Sequence, residues 1–308
     1  MNTNLVFEAV QLLDPAPNYL IALSGGADSV ALLYAFAHLK MNVKACHVQH
    51  GDEEHRQRFA DFCKKLCNEL DVPFTLKNIK LNQTANWEAN AREERYKALY
   101  ASDPQAILVT GHHLDDQVET FFLKALRGSG IRGLSCMEMH GVNPTNAMQT
   151  LVRPFLSLEK SLLEHFLMER GVGWMQDPSN NSTNYDRNFL RLDILPLIES
   201  RWPQYRKGIA ASVESLQQDK RALMDSLPPR TVSLGMARSW SEAQLAAWVM
   251  NCFATFGSGK SPSRAQVKEF VRQVKSDPTA ANNAKYEIRC GGLAIKRVKN
   301  ILELEIDI

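Results

Sequence analysis

The sequence predicts an α/β protein: a parallel sheet with helices on both faces, followed by a smaller, mainly helical domain. Two observations carry this. Short apolar runs alternate with stretches of helical period over residues 19–128, and that alternation stops after about residue 150. A strand–helix–strand alternation implies right-handed crossovers, and ligands then bind outside the carboxyl ends of the strands.

The elements follow in chain order. Residues 19–24 (YLIALS), 43–48 (VKACHV), 74–79 (FTLKNI) and 106–111 (AILVTG) read as buried parallel strands. Between and after them, 28–40, 53–70, 86–102 and 115–128 have apolar positions near a 3.6-residue period and many good helix formers. Pro154 marks a turn, and Ser157 is the expected N-cap of the next helix, although Lys160 stands where a capping box wants an acid or amide. Residues 177–186 form a polar loop, and a helix resumes around Pro196. Helices then dominate until a closing hairpin that turns at Gly291-Gly292. With 308 residues and roughly 150 per domain, two domains are expected, 1–206 and 207–308.

Composition narrows the class. A 44% hydrophobic and 23% charged chain is that of an ordinary globular protein. No apolar run approaches the ~18 residues needed to span a bilayer, so no membrane partner and a cytoplasmic location are expected. The six cysteines are scattered, and Cys63 and Cys67, four apart on a helix, read as buried thiols. The net charge is only +2, but residues 201–308 carry 17 Lys and Arg against 10 Asp and Glu, an asymmetry compatible with a phosphate-backbone footprint.

The chemistry begins at Ser24-Gly25-Gly26-Ala27-Asp28-Ser29, between the first strand and its helix. Two glycines let backbone N–H groups approach an anion, and the helix dipole favours negative charge there. Ser24 and Ser29 offer hydroxyls, and Asp28 offers a carboxylate for a divalent cation on the phosphates. Walker A spacing and its lysine are absent. In 112–119 (HHLDDQVE), Asp115 and Glu119 share a helical face while Asp116 points about 100° away. Arg92 and Arg95 lie three apart with Tyr96 adjacent, and Arg187, Asn188 and Arg191 recur at i, i+1 and i+4. Helix capping by Asp115, structural roles for His112 and His113, and surface pairing of Arg92 are the alternatives.

The lysine-free loop resembles that of PP-loop ATP-pyrophosphatases, adenine nucleotide alpha hydrolase-like proteins that cleave ATP between the α and β phosphates. Together with 47–51 (HVQHG), 88–99, 110–130, 153–156 (RPFL) and 174–196, it resembles the tRNA(Ile)-lysidine synthase family, strongly over residues 17–210. The resemblance implies a ligase with ATP and magnesium as cofactors and isoleucine tRNA with a CAU anticodon and free L-lysine as partners. ATP would adenylate the wobble cytidine, and lysine would then displace AMP. It implies ATP contacts at Ala22, Ser24, Gly25, Gly26, Ala27, Asp28, Ser29, His47, His50, Gly111 and His112. It implies magnesium at Asp28 and Asp115, and catalytic roles for Asp28, Arg92, Asp116 and Glu119. Lysine and tRNA would meet Asp115, Asp116, Glu119, Arg127, Asp177, Arg187, Asn188 and Arg191.

Two departures stand out. The acidic run Asp52-Glu53-Glu54-His55 follows 47–51 where the family has a neutral or basic turn, and a further C-terminal domain of longer members is expected to be absent. The oligomeric state, a homodimer included, stays open. Another PP-loop adenylating enzyme such as a tRNA thiolase is the nearest alternative, but no cysteine pair has the spacing such enzymes commonly need. A non-catalytic nucleotide- or RNA-binding homologue is the other, and it would be expected to lose Asp28 or the carboxylates of 115–119, which are all present.

Overall fold

The computed structural model describes residues 1–49, 53–79, 87–177, 182–183, 185–225, 230–256, 261–276 and 286–306. The side chains of 53–56, 87–89, 224–225 and 306 lie outside that description, as do His50 and Asp52. The chain divides into two compact units, Met1–Lys220 and Arg221–Ile308.

The first unit opens with helix α1 (Asn4–Gln11), then β1 (Tyr19–Ala22), α2 (Ala27–His38), β2 (Val43–Gln49), α3 (Glu53–Glu69), β3 (Phe74–Asn78), α4 (Trp87–Ser102), β4 (Ile107–Val109) and α5 (Leu114–Leu126). A short α6 (Ile131–Leu134) leads to the hairpin β5 (His140–Asn143) and β6 (Asn146–Val152). The strands align in the order β3-β2-β1-β4-β6-β5, all parallel except the edge strand β5. Both faces of this sheet are covered, which is why its strands read as continuous apolar runs. Tyr19, Ile21, Ala45 and Val109 pack under α1, α2, α3 and α7 (Lys160–Glu169), whereas Leu20, Cys46, Leu108 and Leu151 pack with Tyr96 and Leu99 of α4.

Because β2 and β4 flank β1 on opposite sides, the strand order reverses at β1. A crevice opens at such a reversal, between the loops leaving β1 and β4. Those loops carry Ser24–Asp28 and His112–Asp116.

The hairpin β5–β6 and helix α1 do not appear in the sequence reading. The expected cap at Ser157 is also corrected: α7 begins at Lys160 with Glu159 as N-cap residue. Its first N–H is satisfied from another element, by Asp115 Oδ2 at 2.9 Å from Lys160 N. Beyond α7 the chain forms α8 (Asp186–Phe189), a π-helical turn (Leu190–Ile194), α9 (Leu195–Arg201) and the long α10 (Tyr205–Asp225). Leu190, Leu195 and Tyr205 pack against Val118 of α5. The compact units divide inside α10, after Lys220, because the helix is held to the first unit up to that point. There Gln217 donates to the carbonyls of Ser135 and Met137, and Lys220 pairs with Glu138.

The second unit contains β7 (Val232–Ser233), α11 (Leu234–Ser239), α12 (Glu242–Phe256), α13 (Arg264–Lys275), β8 (Glu287–Cys290), β9 (Leu293–Val298) and β10 (Ile301–Ile306). Its core gathers Trp248, Phe253, Phe270 and Ile295. The helical part and the turn at Gly291-Gly292, both glycines at positive φ, agree with the sequence reading. The antiparallel sheet β7-β10-β9-β8 is larger than the expected hairpin.

Candidate active site

The loop after β1 organises itself through Ser29. Its Oγ accepts from the N–H groups of Ser24 and Gly25 at 3.1 and 3.2 Å and donates to the Gly26 carbonyl at 3.0 Å. The Ser29 hydroxyl is thus engaged inside the loop, tying its backbone together. Gly25 sits at φ +91°, and a Cβ there would lie 3.3 Å from Cys63 Sγ and Phe59 Cδ1. The loop therefore rests on the α3 side chains, and only glycine fits. The first intrahelical bond of α2 is Val30 N–H to Gly26 O, which leaves the N–H groups of its first turn for an anion.

This loop opens into a cleft of about 980 Å³. Ala22, Ser24, Gly26, Ala27, Asp28, His47, Arg92, His112, Asp116 and Asp177 all line it. Across the cleft Gly111 ends β4 so close to α2 that a Cβ would stand 2.9 Å from the Asp28 carbonyl carbon and oxygen. Gly111 therefore shapes the site rather than lining it. Met175 N–H donates to the Gly25 carbonyl at 2.9 Å, tying the segment before Asp177 to the loop. His47 is buried with Nδ1 2.8 Å from the Leu23 carbonyl, and burial lowers its pKa. His112 is likewise held neutral, because burial and then Arg153, Arg92 and Arg187 outweigh the pull of Asp116.

Charge concentrates at His113. Its ring lies 3.5 Å from Asp28 Oδ2, 3.5 Å from Asp116 Oδ2 and 3.6 Å from Asp115 Oδ2. Burial opposes the charged ring, yet Asp115, Asp28 and Asp116 together raise its pKa to about 10. Burial would raise the carboxyl of Asp116, but His113, then Arg187 and the His113 backbone N–H, hold it below the usual carboxylate range. Asp28 Oδ1 is buried without a hydrogen-bond partner, which suits a hard cation held beside phosphates. Asp115 is placed otherwise: besides capping α7 it accepts from Arg206 Nε at 2.8 Å, and its pKa is lowered by His113, Lys160 N–H and Arg206 against burial. Among the described residues no group of three or more His, Cys, Asp and Glu is arranged as a metal site on its own.

The cleft adjoins a second cavity of about 220 Å³, the two sharing Lys160, Glu164 and Arg191 in their walls. Asp115 and Glu119, which share one face of α5, line it with Glu159, Glu164, Arg191 and Arg206. Glu119 is fully buried, accepting from Arg191 Nε at 2.6 Å and Arg187 Nε at 2.7 Å. Both its oxygens are thereby engaged, and of the three α5 carboxylates Asp116 is the one that lines the large cleft.

A family model described as a PP-loop domain matches residues 1–198. The tRNA(Ile)-lysidine synthase of Actinobacillus succinogenes is 33% identical over 310 residues, covering 93% of this chain and 69% of that protein. The chain belongs to the tRNA(Ile)-lysidine synthase family. The lysidine synthase of Actinobacillus pleuropneumoniae serotype 3 is 33% identical over 271 residues, or 83% of this chain, of which this chain spans 63% of the length. A solved U34-tRNA thiolase from Methanococcus maripaludis shares the fold, with a TM-score of 0.56 and 17% identity over 70% of this chain and 77% of that one.

In this lysidine synthase family member most of the residues singled out from sequence converge on α5 and the β1 loop. Asn188 is an exception: its side chain donates to the Ser182 carbonyl and braces the turn. Arg127 stands outside, exposed and 3.3 Å from Asp186. Arg206, which holds Asp115 and Glu199, escaped the sequence reading because its partner lies 91 residues away. Cys63 and Cys67 are buried as expected, their thiols pushed up to about 12 by burial.

Proposed function

We propose that this chain carries the catalytic core of a tRNA-modifying ligase that adenylates the wobble cytidine of isoleucine tRNA (CAU anticodon) and then attaches lysine. The reading rests above all on the large cleft. There the first-turn N–H groups of α2, the unpartnered Asp28 Oδ1, Arg92 and the ionised Asp116 face one space.

ATP enters with its phosphates on Ser24–Asp28, where Asp28 would hold magnesium, which would supply charge neutralisation. Arg92, stacked 5.1 Å over Tyr96, stabilises charge developing on the transferred phosphoryl group. The 2-oxygen of cytidine attacks the α-phosphorus and pyrophosphate leaves. The acidic second cavity admits lysine, a cation at neutral pH. Lysine must shed a proton whose ordinary pKa is about 10.4 before its amine attacks carbon 2, and Asp116 is the base that receives it. The C2–N bond forms as the C2–O bond to AMP breaks. Glu119 holds Arg187 and Arg191 at the wall between the two spaces. The high thiol pKa values of Cys63 and Cys67 disfavour sulfur transfer as the alternative.

The test separates the steps. With α-labelled ATP and no lysine, wild type and Asp116→Asn should both form adenylated tRNA. After lysine is added, only wild type should release AMP at its full rate, with the variant slowed by about 10²–10⁴-fold. An Asp116→Asn protein that attaches lysine normally would overturn the assignment.

A further inference from the structure

The stretch 185–191 presents two faces. Arg187 and Arg191, four apart, turn inward to Glu119. Tyr185, the extended N-cap residue of α8, and Phe189, roughly 160° round the helix from Arg187, are 46% and 47% exposed. A short helix and its N-cap gain nothing for their own packing by showing two aromatic rings to water. Next to them the end of α5 shows exposed Lys124 and Leu126, and Arg127 reaches Asp186 at 3.3 Å. That ion pair is solvent-exposed on both sides, so little holds Arg127 there against a competing phosphate. The patch thus combines stacking surfaces with exposed cations, the chemistry of single-stranded nucleic-acid recognition. Through Arg187 it is continuous with the catalytic wall.

We propose that Tyr185 and Phe189 stack on unpaired bases flanking the target cytidine, with Lys124 and Arg127 on the intervening phosphates. This rests on the tRNA reading above. A base drawn into the cleft leaves its neighbours one nucleotide step outside, and this patch is the aromatic surface that the helix bearing Arg187 offers them.

The test measures binding of a fluorescein-labelled RNA stem-loop with a CAU loop to the full chain. Phe189→Ala alone should weaken binding about ten- to a hundredfold, the range for one lost base stack, and adding Tyr185→Ala should weaken it further. Phe189→Leu should weaken it nearly as much as Phe189→Ala, and Phe189→Tyr should retain it. ATP affinity and sedimentation mass should not change. If wild type binds the stem-loop and the variants bind equally well, the patch assignment is overturned while the tRNA reading stands. A changed sedimentation mass would give the face to a second copy instead. If wild type binds ATP but no stem-loop, the tRNA reading fails and this proposal with it.

Discussion

At the scale of single residues, His113 shows what sequence can and cannot reveal. Two adjacent histidines at the end of a strand were visible, but not that His113 is the one held among three carboxylates. Asp28, 85 positions earlier, meets His113 only because the β1 and β4 loops share the reversal point of the sheet. The ring's folded pKa, about 10, lies above its ordinary value near 6.5. Its contribution to stability is therefore complete below about pH 6.5 and lost as pH rises toward about 10. Urea midpoints of wild type and His113→Gln should converge across that window; a gap constant from neutral to alkaline pH would show that the ring is not charged in the fold.

At the scale of elements, α5 was the most legible piece. Period alone put Asp115 and Glu119 on one face and Asp116 on another, and these faces line different cavities. The start of α7 was not legible, since the group that caps it comes from α5 rather than from a neighbour in sequence. The β5–β6 hairpin was missed for a related reason. Its stabilising groups are long-range: Gln149 donates to the Asp103 and Ala106 carbonyls and Asn143 to that of Tyr96, so local pattern is weak. Gly111 ties the elements together at the site. Gly111→Ala should destabilise the first unit by about 1–3 kcal/mol through overpacking and weaken ATP binding, read by thermal melts and titration. Glu119→Gln leaves Arg187 and Arg191 without their shared carboxylate. The cost should be roughly 2–4 kcal/mol, below that of a fully buried pair because both arginines are about a third exposed to water.

At the scale of the molecule, the sequence indicated a sheet-based unit and a distinct basic one. The strand β10 was legible but unread: Leu302 and Leu304 alternate with Glu303 and Glu305, the pattern of a half-buried strand. Among the described residues no helix is long and apolar enough to cross a membrane. The chain spans 49% of the Haemophilus ducreyi relative and 63% of that from Actinobacillus pleuropneumoniae. The concentration of 17 Lys and Arg after residue 200 fits a phosphate contact surface, in which case tRNA affinity falls steeply with salt. The central claim is met most directly by labelled lysine. Incubated with ATP, magnesium and isoleucine tRNA bearing a CAU anticodon, the chain should incorporate lysine into that tRNA and not into one with uridine at the wobble position. Equal labelling of both, or AMP release with no lysine in either, would contradict it.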